Sequence, residues 1–358
     1  MTRIEFIKKV DAIAGSAAVS LLPLSKNSKI TSTVRKILVV RPGGIGDAIL
    51  LAPAMAALAG KFPDACITVL AEKRNYAAFT LMPEVTELLL YDSFQGFTSL
   101  LSCGFDLVVD TEQWHRLSAV MARIVCRGRL IGFATNDREK LLSDPVEYSQ
   151  NDYEAESFLR LLTPLGINVD FNHDIPFLTV PEKGLLELQA SNFNQTRPYV
   201  TVFPGASIAE RRWGAERFRQ LVMNLEMAGY AAVIVGGGGE AELASEISSG
   251  TGAVSLAGVL SLSGTAAVIS SSNLLVSGDS GILHLGVGLG VGTVSLFGSG
   301  IAKKWAPRGG NHIVLNRNLP CSPCTLFGTT PPCPYNTKCM TDISVDEVFM
   351  AAMKVLAR

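Results

Sequence analysis

The sequence contains no run of about twenty apolar residues, so nothing in it reads as a membrane-spanning helix. Charge is sparse, at 18% of residues, and balances to a net −1. There is no global basic field, which argues against a dedicated nucleic-acid binder. Short-period repeats and low-complexity tracts are also absent. Hydrophobic residues make up 48%, so the chain is globular and not disordered. Its 358 residues suffice for two domains, each with its own core.

Two phosphate-binding signatures are missing where they would be looked for. Lys36-Ile-Leu-Val-Val-Arg-Pro-Gly-Gly-Ile-Gly-Asp47 reads as a buried strand (Ile37 to Val40), a glycine turn, then a helix to about Lys61. A dinucleotide fingerprint requires a third glycine, but Gly44-Ile-Gly46 is followed by Asp47, Ala48 and Ile49. Asp47 also puts negative charge where a pyrophosphate would sit. No Walker lysine follows either. The loop therefore presents a carboxylate into a cleft. Asp47 alone does not decide between that role and a plain helix cap.

From residue 36 strands and helices alternate. Apolar runs at Cys66-Ile-Thr-Val-Leu-Ala, Val85 to Tyr91 and Leu107-Val-Val-Asp are separated by helical stretches, Arg116 to Val125 among them. This rhythm predicts an α/β fold with a parallel sheet covered on both faces. Residues 137–156 are polar and aperiodic and predict a mobile loop over a site. A helix is expected from Tyr153 to Leu165, and a linker near residues 168–181. The rhythm restarts at Tyr199-Val-Thr-Val-Phe-Pro-Gly and continues through strands ending in glycine at Gly236, Gly278 and Gly298. Two Rossmann-like halves predict a cleft between the carboxyl ends of two sheets.

The second half carries three strand ends suited to an anion. Ser277-Gly-Asp279-Ser280-Gly281-Ile-Leu-His284 follows a strand and opens a helix, where small residues let a phosphate approach backbone N–H groups. Asp279 is placed to accept from sugar hydroxyls; read singly, Asp279 and Ser280 are better taken as caps. Ser207 and Arg211-Arg212 follow Phe203-Pro-Gly and offer a hydroxyl and a guanidinium to a diphosphate, or else an exposed basic turn over Trp213. Glu240, after Val235-Gly-Gly-Gly-Gly, is placed for ribose hydroxyls.

Seven cysteines are an odd number. Cys66 and Cys126 lie in apolar runs and read as reduced core residues of a cytoplasmic protein. Cys321, Cys324, Cys333 and Cys339 have the spacing C-x₂-C-x₈-C-x₅-C. A closed structural zinc site, two disulfides and four packed thiols are the options. The reducing compartment disfavours disulfides, and the second pair departs from C-x-x-C, so packed thiols stand ahead of zinc. At the N-terminus, Ile4, Ile7, Val10 and Ile13 recur at helical spacing beside Lys8 and Lys9. That pattern predicts an amphipathic helix that packs on the domain or touches a membrane surface, rather than a secretory leader.

Taken together, Arg41-Pro-Gly-Gly-Ile-Gly-Asp47, Asp110-Thr-Glu-Gln, Pro204-Gly-Ala-Ser, Arg212-Trp213, Val235-Gly-Gly and Gly278-Asp-Ser-Gly-x-x-His284 resemble the ADP-heptose:lipopolysaccharide heptosyltransferases, glycosyltransferase family 9. The resemblance runs from residue 36 to the end. It implies a GT-B architecture of two Rossmann-like domains facing a central cleft. It also implies inverting transfer of heptose from ADP-heptose to a lipid A–Kdo acceptor, with no obligatory metal or cofactor. Asp47 is then the general base, and Ser207, Arg211, Glu240, Asp279, Ser280, Gly281 and His284 contact the donor. Arg211 stands where the family often has lysine, and Ser280 where threonine is common. Gly44, Lys73, Arg74, Arg116 and Arg123 are candidates for the acceptor's phosphates or carboxylates. The expected parts are a helical extension at 1–35, an acceptor-side domain at 36–175, a nucleotide-sugar domain at 182–342 and a closing helix at 343–358. The expected place of action is the cytoplasm, at the inner face of the inner membrane where a lipid-linked acceptor lies. A same-fold transferase with another donor or polysaccharide acceptor, a non-catalytic sugar-nucleotide binder and an NAD-dependent enzyme are the alternatives; Asp47 disfavours the last.

Overall fold

The computed structural model describes residues 9–23, 33–91, 93, 96, 100–325 and 329–358. Ile4, Ile7 and Lys8, part of the expected N-terminal pattern, lie outside the described residues. The chain divides into two compact units, Met1–Phe171 and Asn172–Arg358.

In the first unit a π-helical turn, Asp11–Gly15, leads into α1 (Ser16–Leu21). Then come β1 (Lys36–Arg41), α2 (Ile45–Leu50), α3 (Ala52–Lys61), β2 (Cys66–Ala71), α4 (Tyr76–Phe79), β3 (Glu87–Leu90), β4 (Phe105–Asp110), α5 (Arg116–Val125), β5 (Cys126–Phe133), β6 (Asp144–Val146) and α6 (Glu154–Arg160). The strands form one parallel sheet in the order β3-β2-β1-β4-β5-β6. Its central strand β1 is buried at every position after Lys36, as a strand covered on both faces must be. Leu38, Val40, Leu70 and Val108 build the core beneath it with Ala122 and Val125 of α5.

The helix expected to run to Lys61 is two helices that meet at Leu51. Pro53 lies in the first turn of α3, where it needs no hydrogen bond; in one continuous helix its missing N–H would have left a carbonyl unpaired. Residues 137–156 are not a free loop. They hold a 3₁₀ turn (Asp137–Leu141), edge strand β6 and the start of α6. Pro145 is tolerated in β6 because an edge strand bonds on one side only.

The second unit repeats the topology. Its elements are α7 (Glu182–Ala190), β7 (Tyr199–Phe203), α8 (Ala215–Met227), β8 (Ala231–Ile234), α9 (Ala241–Ser248), β9 (Val254–Ser255), α10 (Leu262–Ser270), β10 (Leu274–Gly278), α11 (Gly281–Gly288), β11 (Thr293–Phe297), α12 (Ala302–Trp305), β12 (His312–Asn316), α13 (Lys338–Thr341) and α14 (Val345–Leu356). The parallel sheet runs β12-β11-β10-β7-β8-β9. Gly286 lets α11 lie close on the sheet, since a Cβ there would stand 2.5 Å from Leu275. The closing helix α14 is started by a capping box between Ser344 and Glu347 and packs Val348, Ala352 and Val355 into this core.

In each sheet the chain turns from one side to the other between two neighbouring central strands, β1 and β4 in the first, β7 and β10 in the second. Ligands of open parallel sheets bind at the carboxyl ends of such strands. Asp47 and Asp110-Thr-Glu-Gln follow β1 and β4; Ser207-to-Arg211 and Asp279-Ser280 follow β7 and β10.

Candidate functional site

Asp47 does not cap α2. Gly44 holds the cap position without a side-chain bond, and the Asp47 carboxylate turns to Arg41, whose Nη2 lies 3.3 Å from Oδ2. The Asp47 side chain keeps 23% exposure, against 3% for Arg41. The glycine turn makes this pair possible. Gly43 sits at φ +121°, and a Cβ there would come within 2.9 Å of the Arg41 guanidinium. Gly44, the other glycine of the turn, lies beside the Asp47 carboxylate.

Arg41 is the centre of a buried network. Its Nη1 donates to the Thr111 carbonyl at 2.8 Å, and its guanidinium stands 5.4 Å over the Phe158 ring. Burial opposes its charge, but the carboxylates of Asp47, Glu112 and Glu154 outweigh that and hold its pKa above the ordinary arginine value. Burial likewise works against the Glu112 charge, yet Arg41, His115 and the N–H of Trp114 leave the carboxyl below its usual range. Tyr148 donates to Glu154 at 3.2 Å, and burial followed by the Glu154 charge raises its phenol pKa. Its ring meets Trp114 and Phe133 edge-on, at 5.9 and 4.8 Å between centroids.

Asp110 is structural. It forms a fully buried ion pair with Arg138 and accepts from Ser118 at 3.0 Å. Burial raises its pKa, and Arg138 offsets only part of that. This pair fastens the segment after β5 that sequence alone left loose.

The candidate acceptor cations differ in their surroundings. Lys73 is exposed. Arg74, also exposed, pairs with Glu72. Arg123 is half-buried, and its Nε has no hydrogen-bond partner among the described residues. Arg116 is committed elsewhere: it pairs with Asp137 and lies 3.9 Å from Asp11. Asp11 is 4% exposed and accepts from the N–H groups of Arg116 and Leu117 at 3.0 and 2.9 Å, capping α5 from the N-terminal segment.

In the second unit, Arg211 and Asp279 meet at the switch point. Nη1 lies 2.9 Å from Oδ2, with side-chain exposures of 17% and 5%. Gly300 closes over the carboxylate; a Cβ there would fall 1.9 Å from Asp279 Oδ2. Ser280 takes the capping role, accepting from the Leu283 N–H at 3.2 Å and touching Ser277 Oγ at 2.9 Å. Gly281 opens α11, and His284 follows one turn later, buried, with Nδ1 unpartnered among the described residues. Burial, and then the charge of Arg211, lower the His284 pKa to about 4, so the ring is neutral at neutral pH. Ser207 is exposed at the end of the same turn. Arg212 does not extend a fork towards a ligand; its Nε reaches back to the Ala206 carbonyl at 3.2 Å. Trp213 is buried below, donating to the Ile343 carbonyl at 2.9 Å. Glu240 folds over its own loop, accepting from the Gly237 N–H at 2.9 Å. Gly205 and Gly236 make room for it, as a Cβ on either would come within 2.6 and 2.7 Å of the side chain.

All seven cysteines are free, Cys339 buried and Cys321 exposed, and the described residues contain no group of three or more His, Cys, Asp or Glu that could hold a metal ion. Burial pushes the Cys324 and Cys339 thiols up, with smaller contributions from the neighbouring cysteines. Cys126 is raised to about 11, chiefly by burial, as suits an inert core thiol.

The residues that sequence reasoning passed over are Arg41, Glu154, Tyr148 and Gly300. A usable signal was present for Arg41: an arginine closing an otherwise apolar strand has to find a counter-charge once buried.

Comparison with known proteins identifies the family. The family model described as glycosyltransferase family 9 (heptosyltransferase) matches residues 94–331. Lipopolysaccharide heptosyltransferase 1 of Pseudomonas aeruginosa is 26% identical over 63% of this chain; the match spans 63% of that protein, less than two thirds of its length. Lipooligosaccharide heptosyltransferase 2 of Campylobacter jejuni is 21% identical over 90% of this chain and 98% of its own. Among solved structures, ADP-heptose lipopolysaccharide heptosyltransferase II of E. coli superposes with a TM-score of 0.71 at 20% identity, covering 90% of this chain and 98% of that one. Two Rossmann-like parallel sheets in succession are the GT-B architecture that the resemblance implied. The chain belongs to glycosyltransferase family 9, the heptosyltransferase family.

Proposed function

We propose that this protein is an inverting glycosyltransferase that moves heptose from ADP-heptose to a lipid A–Kdo acceptor of the lipopolysaccharide inner core. The observation that carries this reading is Asp47: a partly exposed carboxylate, held by a buried arginine, at the switch point of the first sheet. The names of the relatives supply heptose, and that of the E. coli structure supplies ADP-heptose.

Asp47 takes the proton of an acceptor hydroxyl while that oxygen attacks the anomeric carbon. The bond from that carbon to the ADP oxygen breaks, and the configuration inverts. A base of this kind contributes about 10²–10⁴-fold. Arg211 and the N–H groups opening α11 receive the charge growing on the diphosphate. Asp279 accepts from the sugar, Ser207 adds a hydroxyl contact, Glu240 serves the ribose, and neutral His284 lines the same end of β10. Gly44, Lys73, Arg74 and Arg123 serve the acceptor side; Arg116 acts there only through its fixed ion pairs.

No helix among the described residues is long and apolar enough to cross a membrane. The lipid-linked acceptor is met instead at the membrane surface, by peripheral contact from the cytoplasmic side. Val10, Ile13 and Leu21 are exposed on the N-terminal segment, while Asp11 and Val19 are buried against the first unit.

The test is a panel of sugar nucleotides assayed for ADP or UDP release with a lipid A–Kdo acceptor. Release of ADP from ADP-heptose that depends on acceptor supports the reading. Turnover only with another donor points to a different transferase of the same fold, and donor binding with no turnover to a sugar-nucleotide binding protein.

A further inference from the structure

Arg41 ends β1, is 2% exposed, and is held at both its backbone and its head. The Asn75 amide donates to its carbonyl at 3.0 Å. The guanidinium donates to the Thr111 carbonyl at 2.8 Å, is stacked 5.4 Å from the Phe158 ring, and lies 3.3 Å from Asp47 Oδ2. Three carboxylates and a neutral phenol surround it: Asp47 from α2, Glu112 just after β4, Glu154 from α6, and Tyr148 from the stretch between β6 and α6. Glu112 and Glu154 have donors of their own, the N–H groups of Gln113 and Trp114 for the first, Tyr148 and Gln113 for the second. Asp47 is the partly exposed carboxylate among them and is approached by a guanidinium that cannot swing away.

We propose that Arg41 is the positioning residue of the base. It fixes Oδ2 of Asp47, so that Oδ1 is the oxygen aimed at the acceptor. In the transfer, the acceptor O–H bond breaks and its proton goes to Oδ1. The acceptor oxygen uses the freed pair to bond the anomeric carbon, and the carbon–oxygen bond to ADP breaks with its pair leaving on the diphosphate. Arginine is required because one planar fork spans Thr111 and Asp47 together; a lysine ammonium keeps the charge but cannot hold both directions. Gly43 is required because any side chain there meets the same guanidinium at 2.9 Å. The inference rests on the reading of Asp47 as the base.

The experiment measures ADP release with the lipid A–Kdo acceptor for the full chain and for Arg41→Lys, Gly43→Ala, Asp47→Asn and Arg41→Lys/Asp47→Asn. Calorimetric ADP binding and thermal unfolding accompany each variant. Arg41→Lys should lower kcat by about 10²-fold, the cost of a misaimed catalytic group, with acceptor KM and ADP affinity unchanged. Gly43→Ala, which keeps the buried charge, should give the same split. In the Asp47→Asn background the lysine should add no further loss. Normal kcat in Arg41→Lys and Gly43→Ala overturns the proposal. So does a loss that persists undiminished when Asp47 is already asparagine, as a general loosening of the domain would give. An Asp47→Asn variant with wild-type kcat strikes the base assignment itself, an outcome separate from any result with Arg41→Lys alone.

Discussion

Arg211 and Asp279, both proposed to serve the donor, form an ion pair, with Nη1 2.9 Å from Oδ2 and Gly300 closing over the carboxylate. A diphosphate that takes Arg211 must therefore share the guanidinium with Asp279 or displace it. Buried charge pairs of this kind resist losing one partner, because the other is left uncompensated.

Arg211→Ala should weaken ADP binding by about 1.5–3 kcal/mol, roughly tenfold to a hundredfold, as loss of a charge-assisted hydrogen bond does. Asp279→Asn removes the competing charge and should bind ADP at least as tightly as the wild type, while turnover of ADP-heptose falls because the sugar loses its charged carboxylate acceptor. Calorimetry with ADP and steady-state turnover separate the two effects. If the asparagine variant loses ADP affinity in step with the alanine variant, Asp279 supports Arg211 and does not compete for it.

His284 predicts an acid-sensitive stability. Its folded pKa is lowered to about 4 by burial first and by Arg211 second, against 6.5 for the free side chain. As pH falls, the unfolded chain takes up the proton before the folded one. The stabilisation is whole above about 6.5 and declines as pH drops towards 4. A gap of that size corresponds to about 3 kcal/mol. His312, also lowered to about 4, chiefly by burial, adds to the same window. Denaturant unfolding at neutral pH and near pH 4.5 should show a smaller acid loss for His284→Gln than for the wild type. Identical losses would remove His284 from the account.

Much of the fold was legible because each central strand is a short apolar run ended by glycine or a polar residue, as in Ile37 to Val40 and Leu274 to Gly278. What went unread lay at or next to the sheet edges, or depended on distant partners. The strand β5 opens with Cys126-Arg-Gly-Arg, and its first half is only partly buried; β6 has three residues and a proline; β12 is half-buried throughout. None of these carries the apolar run of a central strand. Asp47 was singled out, but its partner was not, since Arg41 and Asp47 are joined by a turn whose path no periodicity describes. The 137–156 segment looked loose for a similar reason: its fastening is an ion pair between Arg138 and Asp110, which are 28 positions apart.

That ion pair can be tested alone. Arg138→Met leaves the Asp110 carboxylate buried without its cation and should destabilise the protein by about 3–5 kcal/mol. Asp110→Asn combined with Arg138→Met removes both charges and should recover part of that loss. Chemical denaturation measures both. Hydrogen exchange at β6 should rise in the single variant, because the turn preceding that strand is what Arg138 holds. Equal stability of single variant and wild type would mean the pair contributes nothing net.

The N-terminal segment has two faces with separable roles. Asp11 caps α5, Ser16 donates to Asp137 at 2.7 Å, and Val19 packs with Ala119 and Leu141. Ile13 and Leu21 are 76% and 86% exposed and take no part in that packing. Deleting the segment would strip α5 of its cap and uncover apolar surface, so a truncation confounds folding with membrane contact. Ile13→Glu with Leu21→Glu changes only the outward side. The thermal midpoint of this double variant should stay at the wild-type value, whereas Asp11→Ala should lower stability by about 0.5–2 kcal/mol through the lost cap. If the outward face touches the membrane carrying the acceptor, the double variant should cosediment less with anionic liposomes, because each added carboxylate is repelled by the surface and each lost side chain buries less apolar area. Turnover of a soluble acceptor analogue should stay unchanged, while turnover of acceptor embedded in liposomes falls. Cosedimentation equal to the wild type would confine the segment to its structural role on α5.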